Sequence, residues 1–135
     1  MKKLLSISYT QTSFNIAMLI LRVSFGVMMI PHGYNKLVHF AQMKGQFMNF
    51  LGIGSTMSLS LDIFAEFFCS MFLIIGLFTR LIVIPLIIAM CVVVAIAHKY
   101  DIFGDAEHGA MYLAGFLVIL LLGPGKISVD GMINK

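Results

Sequence analysis

Five ionisable side chains stand inside apolar sequence. Arg22, His32 and Lys36 lie in one apolar run, and Asp62 and Glu66 in a second. A charged group in lipid costs from about 2.5 kcal/mol to more than 10. A chain keeps such groups only where a partner, a water-filled cavity or the membrane interface takes the charge. A buried carboxylate beside an imidazole can bind a polar head group or relay protons. The same groups paired among themselves would only tie helices in register. Three more residues, His98, Glu107 and His108, sit at the edges of later apolar runs and could share an outer vestibule with His32.

Periodicity groups these residues. At 100° per residue, Arg22, Gly26, Met29, Gly33 and Lys36 fall along one narrow helix face, with His32 at its edge. In the second run Asp62, Glu66, Cys69 and Leu73 share a face at i, i+4, i+7 and i+11. Matched by depth across antiparallel helices, Glu66 falls between Arg22 and His32, roughly 7 Å from each at 1.5 Å rise per residue. Two contacts follow, and both stay open. An Arg22–Glu66 pair is within reach of long side chains, and a His32–Glu66 contact could be direct or through water. Asp62 is shallower and could meet Lys36.

Composition narrows the setting. The 135 residues are 60% hydrophobic and 11% charged, less than half the roughly 25% charge usual in soluble domains. Mean hydropathy is +1.00, which places one compact unit in a membrane. A net charge of +3 invites a nucleic-acid reading, but the nine Lys and Arg are scattered singly and form no basic stripe. No nucleic-acid partner is expected, and the cations read as interface anchors. Cys69 and Cys91 lie in apolar runs without a CxxC, so they read as small hydrophobes, although similar depth leaves a contact between them open. The histidines and Glu66 lack metal-ligand spacing at i, i+3 or i, i+4, and no metal site is expected. There is no Ser-His-Asp arrangement, nucleotide loop or haem motif. Eleven methionines and twelve phenylalanines suit packing and lipid contact, and equally a crevice for a flat isoprenoid ligand.

The elements that must position these groups are four apolar runs, at about 15–39, 57–78, 81–98 and 106–122, each near the roughly 20 residues a span needs. The expected fold is all-α, a single four-helix transmembrane bundle covering 1–135. Residues 1–14 read as a polar lead. MKKLL starts like a signal peptide, but SISYTQTSFN breaks the run and no A-x-A site follows, so the first helix should remain in the mature protein. Residues 40–56 read as a loop or a short interfacial helix. LFTR at 77–80 joins the second and third runs as an antiparallel hairpin, with Pro85 one turn from the start of the third. Gly123-Pro124-Gly125 stops the fourth. With the N-terminus inside, Lys2, Lys3, Arg80, Lys126 and Lys135 lie on the inner side, against Lys36, Lys44 and Lys99 outside. That bias puts both termini in the cytoplasm.

Three stretches together resemble the DoxX family of small bacterial membrane proteins. They are LRVSFGVMMIPHGYNKL at 21–37, FAEFFCSMFLIIGLFTRL at 64–81 with Glu66, Gly76, Thr79 and Arg80, and LLLGPGKISVDG at 120–131 with Asp130. With His98 between them, the resemblance covers about 20–131. It implies a four-helix bundle of the bacterial inner membrane with cytoplasmic termini. It also implies a membrane subunit of a quinone-linked redox or oxidative-stress complex, with a soluble partner protein encoded elsewhere. Any reaction would belong to that complex rather than to this chain alone. On that reading Arg22, His32, Lys36, Asp62, Glu66, His98 and Glu107 are the candidate binding residues for a quinone or related lipid. Glu66 and His32 would be hydrogen-bond or proton partners of the head group. Arg22 would offset Glu66 or meet ligand from the inner side, Arg80 would anchor the short inner turn, and Asp130 would pack the tail against it. The alternative is a non-enzymatic scaffold whose polar residues only fix the bundle. Passage of a small molecule would need a homo-oligomer, since four short helices leave little room for a pore.

Overall fold

The structure, a computed structural model, describes residues 2–45, 52–92, 94–95 and 107–133, and these contain no strand. After a 3-10 turn at Lys2–Leu5, helix α1 runs Gln11–Val38. It starts four residues before the apolar run because Thr10 caps it, its side chain accepting from the Ser13 amide at 3.1 Å. The end of the polar lead is therefore helical. A four-residue helix, α2 (Phe40–Met43), follows, and residues 46–51 lie outside the description.

The second apolar run forms one continuous helical rod in three pieces. Helix α3 spans Ser55–Ile63, a π-helical turn spans Phe64–Cys69, and α4 spans Ser70–Ile75. Gly76 ends the rod in the left-handed conformation, φ 74°, and the Gly76 and Leu77 amides both return to the Phe72 carbonyl. This close is one that glycine makes without a Cβ penalty.

Helix α5 covers Thr79–Val92 and α6 covers Glu107–Leu122. Because α5 opens at Thr79, two residues before the expected start, Pro85 sits further into the helix, in its second turn, where it removes a hydrogen bond. A short α7, Val129–Ile133, closes the described chain. The 28 residues of α1 and the 21 of Ser55–Ile75 are long and apolar enough to cross a membrane. The described parts of α5 and α6, 14 and 16 residues, are apolar but shorter.

Helix α1 packs against α4, the π turn, α3 and α6, while α5 packs against α6 and the π turn. The shared core holds Met18, Met29, Cys69, Leu73, Leu86 and Phe116. The outer surface is also apolar: Ile20, Phe64, Phe72, Leu81, Ile88 and Leu121 are all exposed. Water would not favour such a surface, and lipid would. Cys69 is buried and Cys91 exposed, and both are free thiols.

Candidate functional site

Polar side chains gather at two separate levels of the fold, and of the contacts the sequence leaves open only Asp62–Lys36 forms among the described residues. Five residues of α1 are buried: Met18, Arg22, Gly26, Met29 and Gly33, one every three or four positions. Arg22 is fully buried. Its guanidinium does not meet Glu66. Nη1 donates to the carbonyls of Leu73 (3.2 Å) and Ile74 (3.1 Å), Nε donates to Pro124 (3.0 Å), and Nη2 donates to Ile127. Leu73 and Ile74 stand in the last turn of α4, where carbonyls lack an i+4 amide, and the Leu73 carbonyl also takes the Gly76 amide at 3.1 Å. Pro124 and Ile127 belong to the irregular turn after α6. One cation thus gathers helix-end and turn acceptors from two chain segments. A Cβ on Gly76 would lie 2.5 Å from Arg22 Nη1, so the cap and the guanidinium both require glycine there.

Asp130 completes this end. Its Oδ1 and Oδ2 accept from the amides of Phe78 and Thr79, each at 2.8 Å, and its own amide donates to the Gly76 carbonyl. A carboxylate from the tail therefore caps the N-terminus of α5, where negative charge also complements the helix dipole. Phe78 sits at φ 51°, a strained conformation for a bulky residue, and the Asp130 bond to its amide helps hold it there.

The second level lies three to four turns further along α1. Here Lys36 meets both carboxylates of the second rod. Its Nζ bonds Glu66 Oε1 at 2.9 Å and Oε2 at 2.8 Å, and also Asp62 Oδ2. Glu66 is 3% exposed. Two carboxylates share one ammonium, so these three residues carry a net negative charge when all are ionised. Glu66 lies in the π turn, a wider helix that costs backbone hydrogen-bond regularity and is frequent at functional positions.

Close approach makes the contact possible. Gly33 of α1 is buried against the π turn: a Cβ there would sit 2.7 Å from the Phe67 nitrogen and 2.9 Å from the Glu66 carbonyl carbon. Only glycine lets the two backbones come this near, and it brings Lys36, one turn on, to the carboxylates.

His32 is exposed and packs edge-on against Tyr112 of α6, with ring centroids 6.1 Å apart. No bond joins it to Glu66. It lies within electrostatic reach of Lys36 and His108, and Tyr112 within reach of Glu66, so the imidazole borders the cluster instead of entering it. Tyr112 was not singled out from the sequence. It looked like one more aromatic of an apolar run, and only its stacking on Phe116 and contact with Phe25 show it as the wall between α1 and α6. Phe25 and Phe116 fill that contact themselves. Of the other candidates, His98 lies outside the described residues. Glu107 opens α6, and its side chain also lies outside the description.

The site is thus Lys36, Asp62 and Glu66, bordered by His32 and Tyr112. An ammonium and an imidazole can donate hydrogen bonds to a carbonyl oxygen, and a carboxyl can give or take a proton. No curated protein and no solved structure matches the chain. A protein-family model does, the DoxX model, over residues 17–99, a stretch that holds Arg22, the whole Lys36–Asp62–Glu66 cluster and Arg80. With that match over more than half of its length, and with two helices fit to cross a bilayer, the chain belongs to the DoxX family and is a membrane protein.

Proposed function

We propose that this protein is the multi-pass membrane subunit of a redox complex in the bacterial inner membrane, and that the Lys36 cluster receives the head group of a quinone. α1, the Ser55–Ile75 rod, α5 and α6 form a four-helix transmembrane bundle with both termini in the cytoplasm. The inner-side excess of Lys and Arg supports that orientation. Electrons come from a soluble partner protein, and the bundle supplies position and protons.

One observation carries the reading: Glu66 and Asp62 converge on a single ammonium from a helix that is widened at Glu66. A tie between two helices needs one carboxylate. The second adds a negative charge in an apolar setting and a place for a proton. Two-electron reduction of a quinone to a quinol takes up two protons, and the carboxyls can pass them while Lys36 and His32 donate to the quinone oxygens.

The test is a titration of a water-soluble quinone analogue into the detergent-purified protein. A hydrogen bond to a charged group contributes about 1.5–3 kcal/mol, so Glu66→Gln and His32→Ala should each weaken binding by about tenfold or more while the helical content stays native. Equal affinity in wild type and both variants would remove the quinone site. The scaffold reading draws on Arg22, whose donors all go to main-chain carbonyls. It predicts a folded protein that takes up no quinone at all.

A further inference from the structure

A cleft of about 780 Å³ opens at the Arg22 end, between the start of α5 and the turn after α6. It is remote from the Lys36 cluster, and nothing in the proposed quinone chemistry uses it. Arg80, Lys126 and Asp130 are its ionisable lining residues, one net positive charge. Both oxygens of Asp130 are turned to the Phe78 and Thr79 amides. Arg80 lies along the Gly123 backbone and makes a single long bond, from Nη2 to the Leu121 carbonyl at 3.5 Å. The rest of its donor fork has no partner among the described residues. The wall also includes Thr79, a fully buried residue whose Oγ1 has no hydrogen-bond partner among the described residues. Leu81 and Leu122 continue the lining in apolar character.

We infer that this cleft binds a phosphate group, held by the Arg80 fork and Lys126, and that the group is the head of an anionic phospholipid. A planar guanidinium matches two phosphate oxygens at once, and an ammonium adds a point charge. The apolar strip beside the cations gives acyl chains a surface that a free phosphate would not use. Cations at a membrane interface attract anionic lipid heads, and these two line one cleft. The site needs the chain to lie in a membrane but not a particular orientation or any quinone. Its failure is therefore separable from failure of the redox reading.

The experiment is native mass spectrometry of the full chain released from detergent, with phosphatidylglycerol, phosphatidylcholine or inorganic phosphate added in turn. Phosphatidylglycerol should bind about tenfold more tightly than phosphatidylcholine, and Arg80→Gln with Lys126→Gln should abolish the difference. Both side chains are exposed, so the double variant should fold, and circular dichroism with unfolding in mixed micelles checks that it does. Inorganic phosphate that competes with phosphatidylglycerol only weakly identifies the lipid as the source. Full displacement by millimolar phosphate would support the anion site and overturn the lipid assignment. Equal retention of both lipids, or a preference that survives the double variant, would overturn the site itself.

Discussion

Replacing Arg22 tests the tie at the tail end of the fold most severely. Arg22→Met keeps the length of the stem and deletes every donor. Four carbonyls from two segments then lose their bond to a fully buried guanidinium, the Leu73 carbonyl keeping the Gly76 amide. Interhelical hydrogen bonds measured within membranes average about 0.6 kcal/mol, which puts the loss at roughly 2 kcal/mol. Charge-assisted bonds in water-soluble proteins, at about 1.5 kcal/mol and upward, put it near 6. The variant should therefore lose about 2–6 kcal/mol, a large part of the stability of a small domain. Arg22→Lys should recover less than half, because an ammonium at one point cannot reach carbonyls spread over Leu73, Ile74, Pro124 and Ile127. The assay is reversible unfolding in mixed micelles, with proteolysis at Lys126 reporting release of the tail. A loss below about 0.5 kcal/mol in Arg22→Met, with the tail still protected, would refute the assignment of Arg22 as the tie.

Two further substitutions probe the rest of the framework. Gly33→Ala puts a methyl 2.7 Å from the Phe67 backbone nitrogen, so α1 and the π turn must separate; it should cost about 1–3 kcal/mol in mixed-micelle unfolding and also weaken quinone-analogue binding. Binding at wild-type strength in a folded Gly33→Ala would show that close approach does not set the Lys36 geometry. Asp130→Ala removes the acceptor of the Phe78 and Thr79 amides and should cost about 0.5–2 kcal/mol, with faster amide exchange at the start of α5. Unchanged exchange there would show that the cap is idle.

Much of this arrangement could be read in the residues, and the failures have physical causes. The Arg22–Gly26–Met29–Gly33 face followed from helical spacing and is the buried face of α1. The joining of tail to turn through Asp130 is what the family resemblance implies, and the Asp130 bonds to the Phe78 and Thr79 amides make it. Arg22's partners were not, because main-chain carbonyls occur at every position and carry no side-chain signature. The only hint was that two helix ends, at Gly76 and at Gly123, leave acceptors exposed at the depth of Arg22. Depth matching placed Glu66 between Arg22 and His32 but could not fix its direction around the helix axis. The structure turns it to Lys36, which has a long enough stem to reach back, whereas His32 faces outward to Tyr112. The π turn at Phe64–Cys69 has no residue type that marks it, although one extra residue rotates the positions after it by about 100°. The cleft beside Arg80 was invisible because it exists only when α5, α6 and the tail meet.

A quinone whose head group is held by the Lys36–Asp62–Glu66 cluster should leave the membrane with the protein. The most direct measurement is extraction of the protein from its native membrane in mild detergent, with mass spectrometry of the lipids that stay bound. About one quinone per chain is expected in wild type, with its loss in a folded Glu66→Gln. Quinone absent from wild type, or retained undiminished in that variant, would rule the site out.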